Sequence, residues 1–122
     1  MVNSLPFPAR VEQNVSDMAG LMAWADLLIA AGGSTNWEAA FMGLPTLVLT
    51  IVENQRLSVE RLANEGVAIS LGWPGSETPR RVAQEATAIC RDQARRTEMG
   101  MRGRRLVDGK GAMRVVAAMR ER

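Results

Sequence analysis

The residues of this 122-residue chain best suited to chemistry lie in one run, Gly32-Gly33-Ser34-Thr35, followed by Glu38. Two successive glycines leave the backbone bare and free in its angles. Where such a run opens a helix, unpaired N–H groups and the helix dipole favour an anion such as a phosphate or diphosphate. The Ser34 and Thr35 hydroxyls add donors. The bland alternative is a packing turn between a strand and a helix. No Gly-Lys-Ser/Thr follows, and the G-x-G-x-x-G pattern is incomplete, so neither standard phosphate motif is present. Glu38 also reads two ways. With Thr35 as N-cap it closes a capping box. With Ser34 as cap it falls one position late, and its carboxylate is free to accept from vicinal hydroxyls one turn from the anion. Asn54 and Gln55 open a later helix, where an amide either caps the helix or hydrogen-bonds a sugar or phosphate.

Composition removes several chemistries. There is no His, so a His general base, a Ser-His-Asp triad and His-based metal sites are excluded within these residues. No metal or cofactor is expected, and no catalytic residue is assigned. The single cysteine, Cys90, cannot form an internal disulfide; it reads as a buried structural thiol on an apolar helix face. No apolar run reaches the roughly 18 residues of a membrane span. The N-terminus lacks a basic, apolar leader pattern, which points to a reducing cytoplasm. The net charge is +2, but the first 79 residues carry eight acids against three arginines, and the remainder twelve basic residues against five acids. The Arg-rich end is read as a solvated helix face. Nucleic acid is disfavoured because no aromatic residue lies there to stack on bases.

Elements that position these residues are legible in the apolar periodicity. Residues 1–8 are irregular, broken by Pro6 and Pro8, and residues 9–122 form one domain. Arg10–Gln13 is expected as a short strand. Ser16 caps a helix whose apolar face is Met18, Leu21, Met22 and Ala25. Leu27–Ala31 is an apolar strand ending at the two glycines. Helices are expected over 35–42, 54–65 and from Thr78 to Cys90, then two more in the basic end, with strands at 46–52 and 67–71. Trp24, Trp37 and Trp73 fall in the core or on an interdomain surface. Alternating apolar strands and helices predict an α/β fold: a Rossmann-like open parallel sheet of about four strands flanked by helices. Ligands of such sheets sit beyond the carboxyl ends of the strands, where the Gly32 and Asn54 loops lie.

Taken together, Asp17-Met18-Ala19, Ala25-Asp26-Leu27, Ala31-Gly32-Gly33-Ser34-Thr35-x-Trp37-Glu38, Gly43-Leu44-Pro45, Asn54-Gln55 and the Asp108-Gly109-x-Gly111-Ala112 ending form a longer pattern. It resembles the C-terminal half of MurG-like, GT-B-fold nucleotide-sugar enzymes, over about residues 9–118. Within them it most resembles the UDP-sugar hydrolase of pseudaminic acid biosynthesis and the spore-coat polysaccharide proteins. The resemblance implies UDP or a UDP-sugar as ligand. It implies that Gly32, Gly33, Ser34 and Thr35 hold the diphosphate, Glu38 the ribose, Asn54 and Gln55 phosphate or sugar, and Val15 the uracil through its backbone. It implies a function in a glycosyltransferase-like or UDP-sugar-hydrolysing enzyme of surface polysaccharide biosynthesis, incomplete without an N-terminal catalytic half. The family's sheet order would leave the Leu27–Ala31 strand with an open edge. That edge is expected to pair with Arg10–Gln13, with a second copy, or with a partner chain carrying the missing half. The alternative is a non-catalytic interaction module or homodimeric relic of the fold.

Overall fold

The computed structural model describes residues 4–121. Three parallel strands, β1 (Leu28–Ala31), β2 (Thr46–Leu49) and β3 (Ala68–Gly72), lie side by side in chain order. Six helices accompany them: α1 (Met18–Trp24), α2 (Thr35–Met42), α3 (Arg56–Asn64), α4 (Thr78–Cys90), α5 (Gln93–Leu106) and α6 (Gly111–Arg120). A 3-10 turn, Glu53–Gln55, leads into α3. The register runs Leu28 to Thr46 and Thr46 to Ala68. Successive strand residues face opposite sides of a sheet, and Leu47 and Val48 are both fully buried. The middle strand is therefore covered on both faces, as its unbroken apolar run predicts. Val48, Ala40, Val59, Leu62, Val67 and Ala68 make up one core cluster. The α/β parallel-sheet expectation holds, with three strands.

No fourth strand forms among the described residues, for a local reason. Residues 8–13 take no regular structure. Of Arg10–Gln13 only Val11 is apolar, and it is 67% exposed. Arg10 instead stacks its guanidinium over the Trp24 ring at 5.6 Å and pairs with Glu12 at 3.2 Å. β1 accordingly stays an edge strand, with Ile29 47% exposed. Ser16 does not cap α1: the Asp17 carboxylate takes that position and accepts from the Gly20 N–H at 2.9 Å. Cys90 is exposed rather than buried. It is the last residue of α4, and its neighbour Ile89 occupies the inward position.

Helix ends are closed by glycine and arginine. Gly43 ends α2 with φ +71°, letting the Leu44 N–H reach back to the Ala39 carbonyl at 2.9 Å. Several arginines of the basic end do more than face water. Arg96 donates to the Ile89 and Cys90 carbonyls at the end of α4, Arg104 to the Met42 carbonyl at the end of α2, and Arg81 to the Leu71 carbonyl. Arg96 and Arg104 thus place cations on carbonyls at the negative ends of the α4 and α2 dipoles, whereas Arg81 ties α4 to a carbonyl of strand β3. α6 has no buried residue. Its start is fixed by Asp108, whose carboxyl is held down at about 2 by the Arg114 hydrogen bond and the Lys110 backbone N–H.

Candidate functional site

The chain leaves β1 at Ala31 and enters α2 at Thr35, so the turn between them lies at the carboxyl edge of the sheet. Two of its four amides are already spent. The Gly32 N–H extends the sheet to the Leu49 carbonyl at 2.9 Å, and the Gly33 N–H turns back to the Ala31 carbonyl at 2.9 Å. The Ser34 and Thr35 N–H groups donate to no acceptor among the described residues. The free donors thus begin two residues later than the glycine pattern alone suggests. Ser34 is the N-cap of α2, yet its side chain makes no capping bond. The turn therefore presents two backbone N–H groups and two hydroxyls at the positive end of a helix.

The two glycines do different work. A Cβ on Gly32 would lie 2.5 Å from Val59 Cγ2 and 3.2 Å from Gln55 Cβ, so this glycine lets α3 and the 3-10 turn press against the loop. A Cβ on Gly33 would meet nothing within 4 Å. Nothing in the fold requires Gly33 to be bare, and it is exposed.

Because Ser34 is the cap, Glu38 sits one place beyond the capping-box position. Its carboxylate has no hydrogen bond or ion pair among the described residues. It stands on the rim of a groove of about 390 Å³ whose other walls include Met22, Trp37, Phe41 and Val107, with no second charge. Gln55 Oε1 accepts from the Ile51 N–H at 3.1 Å, which pins the loop after β2. This places Gln55 beside Gly32, while Asn54 is exposed in the same turn. Val15 is separate: it lines a hollow of about 420 Å³ with Arg10, Asn14, Asp17 and Trp24, and no residue of the Gly32–Glu38 segment borders it. The fold brings Gly32, Gly33, Ser34, Thr35 and Gln55 together, with Glu38 a turn away along α2.

Sequence reading passes over Asn36. It is 2% exposed. Its Nδ2 donates to the Ala31 carbonyl at 2.7 Å and the Gly33 carbonyl at 3.0 Å, and its own N–H also reaches the Gly33 carbonyl at 3.2 Å. Its Oδ1 is buried with no partner among the described residues, at a cost of about 1–3 kcal/mol for such a group. The only signal in the chain is a polar residue in the first turn of a helix, where side chains of this type bond to nearby backbone. Among the described residues no cluster of three His, Cys, Asp or Glu is placed to hold a metal, and no helix is long and apolar enough to cross a membrane.

No protein-family model matches the chain. Similar proteins share its sequence along most of its length. The spore coat polysaccharide biosynthesis protein SpsG of Bacillus subtilis (strain 168) is 37% identical over 109 residues, covering 89% of this chain and 32% of that protein. An undecaprenol-linked N-acetylglucosamine transferase of the MurG type from Stutzerimonas stutzeri (strain A1501) is 36% identical over 103 residues, 80% of this chain and 29% of that protein. The chain is homologous to the MurG-like GT-B proteins. The lipid-A-disaccharide synthase of Nitrosococcus oceani is also similar, 32% identical over 114 residues, 81% of this chain and 29% of that enzyme. The chain thus spans about a third of the length of the curated relatives it matches. The matched stretch is similar to a C-terminal half of these proteins, and the Gly32–Glu38 turn lies within it.

Proposed function

We propose that this MurG-like region binds UDP or a UDP-sugar, and that it serves a glycosyltransferase-like or nucleotide-sugar-hydrolysing enzyme of surface polysaccharide biosynthesis. The observation that carries the reading is the pair of unspent N–H groups of Ser34 and Thr35, beside an open Gly33 and one turn from an unpaired Glu38. The amides and hydroxyls hold the diphosphate; Glu38 accepts from the ribose hydroxyls; Asn54 and the free amide end of Gln55 reach phosphate or sugar; Val15, which lines a separate hollow, is the weakest member of the set. In the reaction, attack at or beside the anomeric carbon expels UDP, and the helix N-terminus stabilises the charge that develops on the leaving diphosphate. The catalytic base and acceptor site are assigned to an N-terminal half, on the same or a partner chain. The setting is cytoplasmic, where nucleotide sugars are made.

Titration with UDP is expected to shift the amide resonances of residues 32–38. Glu38→Ala should weaken binding about 10- to 100-fold, the worth of losing hydrogen bonds to a charged acceptor, while 2′-deoxy-UDP should discriminate less against the variant than UDP does. Absence of any shift in those amides at millimolar UDP would overturn the reading.

One observation favours a second reading, a non-catalytic interaction module. β1 is an unpaired edge with Ile29 exposed, a surface prone to pairing with another strand. Light scattering during size exclusion separates the two: a stable homodimer with no affinity for any uridine nucleotide supports the module.

A further inference from the structure

The Thr35 N–H is the first of α2, where helix N–H groups lack an intrahelical partner, and the buried amide of Asn36 takes the acceptor that one more turn would offer it. In a regular helix each N–H bonds the carbonyl four residues back, so Thr35 would bond Ala31 and extend α2 toward β1. That carbonyl is already occupied, by the Gly33 N–H at 2.9 Å and by Asn36 Nδ2 at 2.7 Å. The sheet makes no competing claim on it. The Leu28 and Gly32 N–H groups bond the Pro45 and Leu49 carbonyls of the neighbouring chain segment, and strand residues alternate in direction. Ala31 therefore points its carbonyl to the open edge, where no strand among the described residues supplies a donor. The second Nδ2 hydrogen and the Asn36 N–H fill the Gly33 carbonyl. Reversing the amide would set an oxygen against two carbonyls, which fixes its orientation. The unpartnered Oδ1 follows from that arrangement.

We propose that Asn36 is a positioning residue that occupies the Ala31 and Gly33 carbonyls, blocks one further turn of helix, and so keeps the Thr35 N–H available to a diphosphate. The diphosphate itself rests on the reading above. The blocking role does not, and it is visible in the protein without ligand. The test compares amide hydrogen exchange at Thr35 in the wild-type chain, Asn36→Ala and Asn36→Ser, all free of ligand. Serine keeps a donor short enough for the Gly33 carbonyl but not for both, so it guards against a collapse of the loop in the alanine variant. Thr35 exchange is expected to slow about ten-fold or more in both variants as its N–H turns to Ala31. Pyrophosphate and UDP should bind at least about five-fold more weakly to each. Folded variants in which Thr35 exchanges as in the wild type would overturn the proposal, whatever their melting temperatures. If the wild-type chain binds neither UDP nor pyrophosphate, the diphosphate reading falls, and the exchange comparison still decides the role of Asn36.

Discussion

Replacing Gly32 with alanine should lower the melting temperature by roughly 8–12 °C, the consequence of about 2–3 kcal/mol of overpacking in a domain of this size. The same change at Gly33 should leave it within about 2 °C. The difference follows from what each new methyl meets. At Gly32 it would sit 2.5 Å from Val59 Cγ2, and Val59 is 1% exposed. A β-branched side chain in a helix has one strongly preferred rotamer, so Val59 cannot swing aside, and α3 must move. The Gln55 Cβ, 3.2 Å away, resists from the same side. At Gly33 there is open space, and its φ is not positive. The alanine there reduces only the freedom of the unfolded chain. Its effect should appear in binding: a methyl on the ligand side of the turn should weaken UDP about ten-fold, or 1.4 kcal/mol. Thermal melts of both variants, paired with calorimetric titration of Gly33→Ala, read the two effects separately. A Gly33→Ala chain that binds UDP as the wild type does would remove this loop from the ligand site.

The contrast between those glycines marks where sequence reading stops. The layer order was legible because β1, β2 and β3 are apolar runs closed by glycine or by a helix cap, and such local signals survive folding. The loop was legible as a strand-to-helix turn with bare backbone, open both to an anion and to close packing, and Gly32 serves the packing. Which amides stay free was not legible. That depends on Leu49, seventeen positions beyond Gly32, and on the buried Asn36 side chain, and no local pattern links either to the turn. Arg10–Gln13 stays irregular although the β1 edge is open to it: only Val11 is apolar there, and Arg10 is engaged by Trp24 and Glu12, a contact that local alternation does not reveal. Glu38 shows the reverse case: the sequence left two caps open, and the single observation that Ser34 is the N-cap frees the carboxylate. Cys90 and Ile89 are adjacent on α4, and only the packing of that helix shows which one turns inward.

The Arg-rich α5 hides a seam with larger consequences than its charge. Gly100 and Gly103 are buried, three residues apart on one face, against the end of α2. A Cβ on Gly100 would lie 2.6 Å from the Gly43 carbonyl oxygen, and one on Gly103 would lie 2.7 Å from that of Ala40. These are backbone atoms, so no rotamer change relieves the clash; the two helices must separate. Gly100→Ala and Gly103→Ala should each destabilise the domain by about 1–3 kcal/mol, the usual range for overpacking. The double variant should cost less than their sum, because one outward shift of α5 relieves both contacts and neighbouring sites of this kind couple. That shift would also carry Arg104 away from the Met42 carbonyl it satisfies. Denaturant melts of the two singles and the double give the coupling directly. Strict additivity would mean that the helices do not move as rigid bodies. The ligand site should suffer less than the fold: α2 is held at its start by the Asn36 bonds to Ala31 and Gly33, so a displacement of its far end reaches Ser34 and Thr35 attenuated. UDP affinity in folded double-variant protein should therefore fall by no more than about three-fold, or 0.7 kcal/mol.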